Sequence, residues 1–301
     1  MVLANYLGGI RVVPAWLKHA PDVGLTVADL IAPFFIFAIG LTYGLSARRR
    51  MQTAGKAKTV QHFLVRFFAL IGIGSLISAG EILFEIDHAT VNWGVLQTLG
   101  VAGLVSLPVI GWSWRRRLGV GVVLLAGYQI LLDHGWRAKV LALPHGGLYG
   151  ALGWAALLIL ATVLADGFHG EESGRARLLG LAGLALVAGL LLAAWIPVSK
   201  NRISASYVLV SLGASGVLFS GFAWWAQRWQ QRLELLAAWG ENPLLLYVLH
   251  FFLLALVVLP GVPRWYPEAP VWLVAVQATA LIAGLSLVAW QLHRKRWTFS
   301  L

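Results

Sequence analysis

Cysteine is absent from this 301-residue chain. That excludes disulfides, thiolate nucleophiles and cysteine-based metal sites, and it leaves the redox compartment undetermined. Charge is scarce too. Only 12% of residues are Asp, Glu, Lys or Arg, against about 25% in a soluble domain. No linker, low-complexity tract or internal repeat stands out, so 1–301 reads as one domain. A Gly-rich phosphate loop, a zinc motif and a Ser-His-Asp motif are all missing. His88, His134 and His145 fall in expected loops, but no two have helical ligand spacing, so no metal site is expected. The amino terminus, MVLANYLGGIRVVPAW, lacks a basic n-region and a cleavage site, so no secretory signal is expected.

Apolar sequence fills the rest. The chain is 59% hydrophobic with 15 tryptophans, its mean hydropathy is +0.78, and tryptophan favours bilayer interfaces. The expected fold is all-α, a polytopic membrane helix bundle. Apolar runs near 26–45, 63–84, 94–110, 118–132, 148–165, 178–197, 205–225, 243–260 and 270–292 predict about nine full spans. A shorter piece, 1–16, contains Arg11 and Pro14 and is too short to cross with comfort. It reads as a half-span or as part of a longer first helix. Glycine pairs within spans (Gly72 with Gly74, Gly180 with Gly183, Gly213 with Gly216) predict close helix contacts.

The formal net charge is +11, and its distribution gives an orientation. Placing the loop after 26–45 in the cytoplasm puts sixteen basic residues inside: Arg48, Arg49, Arg50, Lys56, Lys58, Arg66, Arg115, Arg116, Arg117, Arg175, Arg177, Arg228, Arg232, Arg294, Lys295 and Arg296. Seven stay outside: Arg11, Lys18, Arg137, Lys139, Lys200, Arg202 and Arg264. That is the positive-inside pattern. The carboxyl terminus is then cytoplasmic and His19 faces outward. Basic runs so placed are topology signals, and no nucleic-acid partner is expected; membrane lipids are. Short loops suit a bacterial inner membrane.

The segment from Lys18 to Gly40, KHAPDVGLTVADLIAPFFIFAIG, carries the strongest chemical signal. His19 lies just before an apolar run and Asp29 just inside it. Ionisable groups at such a place are costly and are usually functional. Pro33, four residues beyond Asp29, has no N–H for the carbonyl of residue 29 and pushes that carbonyl away. The helix is therefore predisposed to open its backbone beside its acid. The acid can cap the helix, pair with a cation, or hold the imidazole. A histidine held by an aspartate is the usual arrangement of a general base, since the acid fixes the tautomer and stabilises the imidazolium.

Several stretches then match one family in order. Lys18-His19-Ala20 followed by Gly24-Leu25-Thr26-Val27-Ala28-Asp29-Leu30 resembles the histidine-bearing segment of the heparan-alpha-glucosaminide N-acetyltransferases. Asn5-Tyr6 with Gly8-Gly9 resembles the outer end of that family's first helix, and Gly94-Val95-Leu96-Gln97 its G-V-L-Q motif. Ile196-Pro197-Val198-Ser199-Lys200-Asn201 with Ser204–Leu209, and Gly240–Pro243 with Tyr247–His250, resemble two further segments. The departures are a missing D-x-x-R-G opening, and Thr98 where the family often has arginine.

The resemblance implies acetyl transfer from cytosolic acetyl-CoA to an amino group on the outer side, the acceptor being an amino sugar or glycan. It implies His19 as the catalytic residue, acting as a general base or as a nucleophile that accepts the acetyl group; direct base catalysis is favoured. Asp29 would orient it, and Asn5 would polarise the thioester carbonyl or position the imidazole. Gln97, Tyr207, Asn242 and His250 are candidates for binding the donor, and Glu81, with Glu85, and Lys200 for binding the acceptor. Helix capping with Pro at the first position also explains Asn242-Pro243. A homodimer is an open expectation. The competing functions are a transporter or flippase using His19 and Asp29 as a proton-coupled pair, and a scaffold without activity.

Overall fold

Inside a bilayer every backbone polar group must be satisfied within the protein, which leaves long apolar segments the helix. The computed structural model describes residues 1–83, 92–169, 174–229 and 233–299; Glu85, His88 and Arg232 lie outside them. Eleven α-helices follow one another: α1 (Val2–Gly8), α2 (Ile31–Leu83), α3 (Val95–Ser106), α4 (Trp114–Leu131), α5 (Arg137–Leu141), α6 (Gly147–His169), α7 (Gly174–Leu192), α8 (Ala205–Trp229), α9 (Glu234–Glu241), α10 (Pro243–Val258) and α11 (Val271–Arg294). The described residues form an all-α membrane helix bundle, as expected.

The 53-residue α2 is not one rod. The ring of Tyr43 packs 4.8 Å from Phe63 and 5.5 Å from Phe67, residues that a straight helix would hold about 30 Å or more away. The chain doubles back at Gly55, whose φ of 81° and ψ of 165° suit glycine alone. Its two arms cover 31–45 and 63–83 of the expected spans 26–45 and 63–84. By length and apolarity six described helices can cross a membrane, or seven if α9 and α10, bent by 86°, make one span. The difference from the expected nine lies in α2 being counted once and in α3, a shorter apolar helix.

At the centre is α6, buried continuously from Gly153 to Ala165 and packed against α2, α3, α4, α7 and α8. Close approaches use some of the expected glycines. A Cβ at Gly213 would meet the Leu186 nitrogen at 2.5 Å, and one at Gly216 the Ala182 Cβ at 2.5 Å; Gly74 abuts Gln97. Gly72, Gly180 and Gly183 have nothing within 4 Å, so spacing alone did not locate the contacts.

Side-chain contacts separate two ends. At one, Asp166 binds Arg48 at 2.8 Å and the fully buried Arg117, and Arg175 meets Gln227. At the other, the loop before α2 meets the α7–α8 connection, and Arg11 pairs with Glu268 at 2.5 Å. Short as it is, α1 is anchored there: Tyr6 donates to Gln277 Oε1 at 2.6 Å and accepts, at its carbonyl, from Tyr266 at 3.0 Å.

Candidate active site

The loop carrying His19 is clamped by the α7–α8 connection. Gly24, at φ +123°, forms a parallel bridge with Ser199, and its N–H donates to Val198 O at 2.8 Å. Asp22 accepts from Ser199 Oγ at 3.0 Å and from Arg202 Nε at 2.9 Å, while Asn201 donates to Pro21 O at 2.6 Å. The Arg202 guanidinium holds the Asp22 carboxyl below its ordinary carboxylate value.

That clamp delivers His19 to Asp29. The imidazole Nδ1 lies 2.8 Å from Asp29 Oδ1. Asp29 is fully buried, whereas the His19 side chain is 45% exposed. The second carboxylate oxygen accepts the Thr26 N–H at 3.0 Å and the Ala20 N–H at 3.2 Å. The Thr26 hydroxyl sits 2.6 Å from Lys18 O and 3.0 Å from Asp29 Oδ2, sharing one proton between two acceptors. A carboxylate only accepts, so Nδ1 carries the proton and Nε2 keeps its lone pair. The Nε2 lone pair can therefore accept a proton, and the buried acid orients the ring.

The carbonyl released by Pro33 has found a partner. Tyr207, wholly buried on α8, donates its hydroxyl to Asp29 O at 2.7 Å. A hydrogen bond from another helix thus replaces the one proline removes, and it fixes the residue that fixes His19. Lys200 is also buried here, within electrostatic reach of Asp29. Burial lowers its ammonium from the usual lysine value, and the Asp29 carboxylate opposes that shift.

Asn5 is not hydrogen-bonded to His19. Its Nδ2 donates to His250 Nε2 at 2.9 Å, because His250 Nδ1–H is spent on Tyr247 O. His250 therefore orients Asn5, leaving the Asn5 carbonyl and one N–H for another partner. Asn5 lines a polar cavity of about 280 Å³ together with Glu81, Asn92, Gln97, His145 and Tyr247. A second cavity of about 240 Å³ shares Val95, Leu96 and Tyr247 with the first and extends to Arg66, Glu241 and Phe299. A larger apolar groove of about 730 Å³ between α4, α6, α7 and α8 touches none of the candidate site residues.

Other candidates have structural partners. Gln97 accepts the Gly94 N–H at 3.0 Å and donates to Ser78 Oγ at 3.0 Å while lining the cavity. Thr98 accepts from Trp93 Nε1 at 2.9 Å. Glu81 accepts from Asn92 at 2.7 Å. Asn242 donates to Trp297 O at 2.9 Å and accepts the Phe299 N–H at 2.7 Å. It is fully buried, makes no side-chain cap on α10 and clasps the carboxyl-terminal segment.

His145, in sequence a loop histidine with no metal-ligand spacing, lines the same cavity as Asn5. Its signal was the turn chemistry of Pro144-His145-Gly146-Gly147. No three His, Asp or Glu side chains among the described residues gather as a metal site.

Residues 14–149 match the family model described as heparan-alpha-glucosaminide N-acetyltransferase, catalytic. Two proteins named heparan-alpha-glucosaminide N-acetyltransferase are similar over the same kind of length. The one from Mus musculus is 36% identical over 119 residues, covering 38% of this chain and 18% of that protein. The one from Homo sapiens is 38% identical over 109 residues, covering 35% and 16%. The matched stretch thus spans less than a fifth of either relative. The family-model match, residues 14–149, includes His19, Asp29, Glu81, Gln97 and His145, whereas Asn5 and the residues beyond 149 fall outside it.

Proposed function

We propose that this chain, whose residues 14–149 match the heparan-alpha-glucosaminide N-acetyltransferase family model, is a transmembrane acetyltransferase. It moves the acetyl group of acetyl-CoA, supplied from the cytoplasm, onto an amino group of an amino sugar or glycan on the outer side. The observation that carries this is the His19–Asp29 pair, an exposed imidazole held at 2.8 Å by a fully buried carboxylate. Such a pair suits proton removal from a nucleophile.

The acceptor amine attacks the thioester carbonyl carbon, forming the C–N bond. His19 Nε2 takes the proton that nitrogen loses, the C–S bond breaks, and the proton returns to the departing thiolate. Asp29 keeps the imidazole in register. In this reading Asn5, oriented by His250 and lining the cavity, hydrogen-bonds the thioester.

The two cavities that share Val95, Leu96 and Tyr247 form, in the same reading, the donor's route. The donor's pantetheine arm would enter past Arg66 and Glu241, and the acceptor would approach from the His19 end. Arg48–Arg50, Lys56 and Lys58 around the Gly55 bend of α2, and Arg115–Arg117 at the start of α4, support this orientation by the positive-inside rule. Lys200 and Glu81 are proposed contacts for acceptor hydroxyls and amine, and Gln97 for the donor; Tyr207 positions Asp29, and Asn242 holds the carboxyl-terminal segment.

The test is purified protein in detergent with acetyl-CoA and glucosamine, followed by thiol release. Acceptor-dependent release of CoA supports acetyl transfer. No release across a panel of amino sugars, from protein that melts cooperatively, would contradict it.

A further inference from the structure

We infer that His145 is a second imidazole of this site, donating an Nε2–H hydrogen bond to the thioester carbonyl oxygen as negative charge develops there. The inference rests on the acetyl-transfer function proposed above and adds a residue to it.

The backbone gives the first indication. His145 sits at φ +54°, ψ +18°, a left-handed conformation unusual for a residue with a Cβ. Gly146 and Gly147 follow at φ +78° and +55°. Such a conformation is strained and persists where surroundings impose it. Here they do. Trp154 Nε1 donates to His145 O at 2.9 Å, and the two rings pack 6.3 Å apart. Gly150 lets that carbonyl approach, since a Cβ there would lie 2.7 Å from His145 O. Trp154 in turn meets Tyr207 edge-on at 5.9 Å, the tyrosine that holds Asp29. The turn is tied to the catalytic pair through two aromatic rings.

The ring's polar atoms give the second. His145 Nδ1 is buried without a hydrogen-bond partner. A neutral imidazole has one donor and one acceptor nitrogen. An orphaned buried N–H is the rarer and costlier defect, so the proton belongs on Nε2. Nε2–H is then the donor offered to the cavity that His145 lines.

Position gives the third. Asn5 and His19, the two ends of the candidate machinery, share no hydrogen bond. His145 lines the cavity of Asn5 and is within electrostatic reach of His19 and of Lys200. A thioester carbonyl in that cavity would find the Asn5 amide and the His145 N–H as donors. His145 keeps its proton throughout, so the balance of the transfer is unchanged.

Interactions made only in the transition state lower kcat when removed and leave KM alone. Asparagine tolerates left-handed backbone, so His145→Asn preserves the turn while withdrawing the donor. His145→Gln returns an N–H near the position of Nε2. In full-length protein with saturating acetyl-CoA and glucosamine, His145→Asn is expected to lower kcat about 100-fold, with KM for acetyl-CoA within about threefold and an unchanged melting temperature. His145→Gln should recover at least about tenfold of that loss. Wild-type protein that releases CoA beside a folded His145→Asn variant with kcat within about threefold of it would overturn the role of His145 alone. Wild-type protein that releases no CoA would remove the acetyl-transfer function and this role together. Equal, severe losses in both variants with lowered melting temperatures would assign His145 to the fold and overturn the inference.

Discussion

The Tyr207 hydroxyl donates to the main-chain carbonyl of Asp29 at 2.7 Å, the carbonyl that Pro33 leaves without a helical partner. Two distant features of the chain meet there. Proline leaves the Asp29 carbonyl without a helical partner, and tyrosine closes the polar defect that results.

Removing that hydroxyl should therefore cost stability and activity. Tyr207→Phe leaves a buried carbonyl unsatisfied, worth about 1–3 kcal/mol. A lower melting temperature in detergent is expected, with acetyl transfer reduced several-fold. Unchanged melting and rate would deny Tyr207 its positioning role.

Asp29→Asn keeps the shape of the side chain but lets its amide face the imidazole with either atom. The His19 tautomer is no longer enforced, and the rate is expected to fall about 10²–10⁴-fold while acetyl-CoA binding, followed by calorimetry, persists. A variant as active as wild type would mean that Asp29 only caps the helix.

The Asp22–Arg202 clamp predicts a pH dependence. The folded protein holds the Asp22 carboxyl below its unfolded value. Its contribution is present in full above the unfolded value, about 3.9, and is lost as pH falls through the lower folded value. Asp22→Asn should melt below wild type at pH 6, and the gap should narrow below about pH 4. A gap that widens on acidification would contradict the clamp.

Asn242 separates a structural role from a binding one. Its amide joins α10 to the carboxyl-terminal segment through Trp297 and Phe299. Asn242→Ala is expected to lower the melting temperature while KM for acetyl-CoA stays within about twofold. A large rise in KM with unchanged melting would restore Asn242 to the donor site.

What could be read from the sequence follows the range of the interactions. His19 and Asp29 lie ten residues apart at one helix mouth, so their pairing was legible from local pattern and from the family likeness. Pro33 announced a freed carbonyl, but its donor comes from α8 and no local pattern names it. Asn5 and His250 were both singled out, yet their bond to each other depends on how α1 packs against α10. The left-handed backbone of His145 and its place in a cavity wall have no signature in local sequence beyond the turn residues around it. The span pattern located the helices, while the doubling back of α2 at Gly55 appears only in the contacts between its arms.

The most direct test is the initial rate of CoA release from acetyl-CoA and glucosamine by His19→Ala beside wild type, with melting curves for both. With His19 as the base, the variant stays folded and its acceptor-dependent release falls to the uncatalysed level. A folded His19→Ala protein that transfers acetyl at the wild-type rate would contradict the central role of His19.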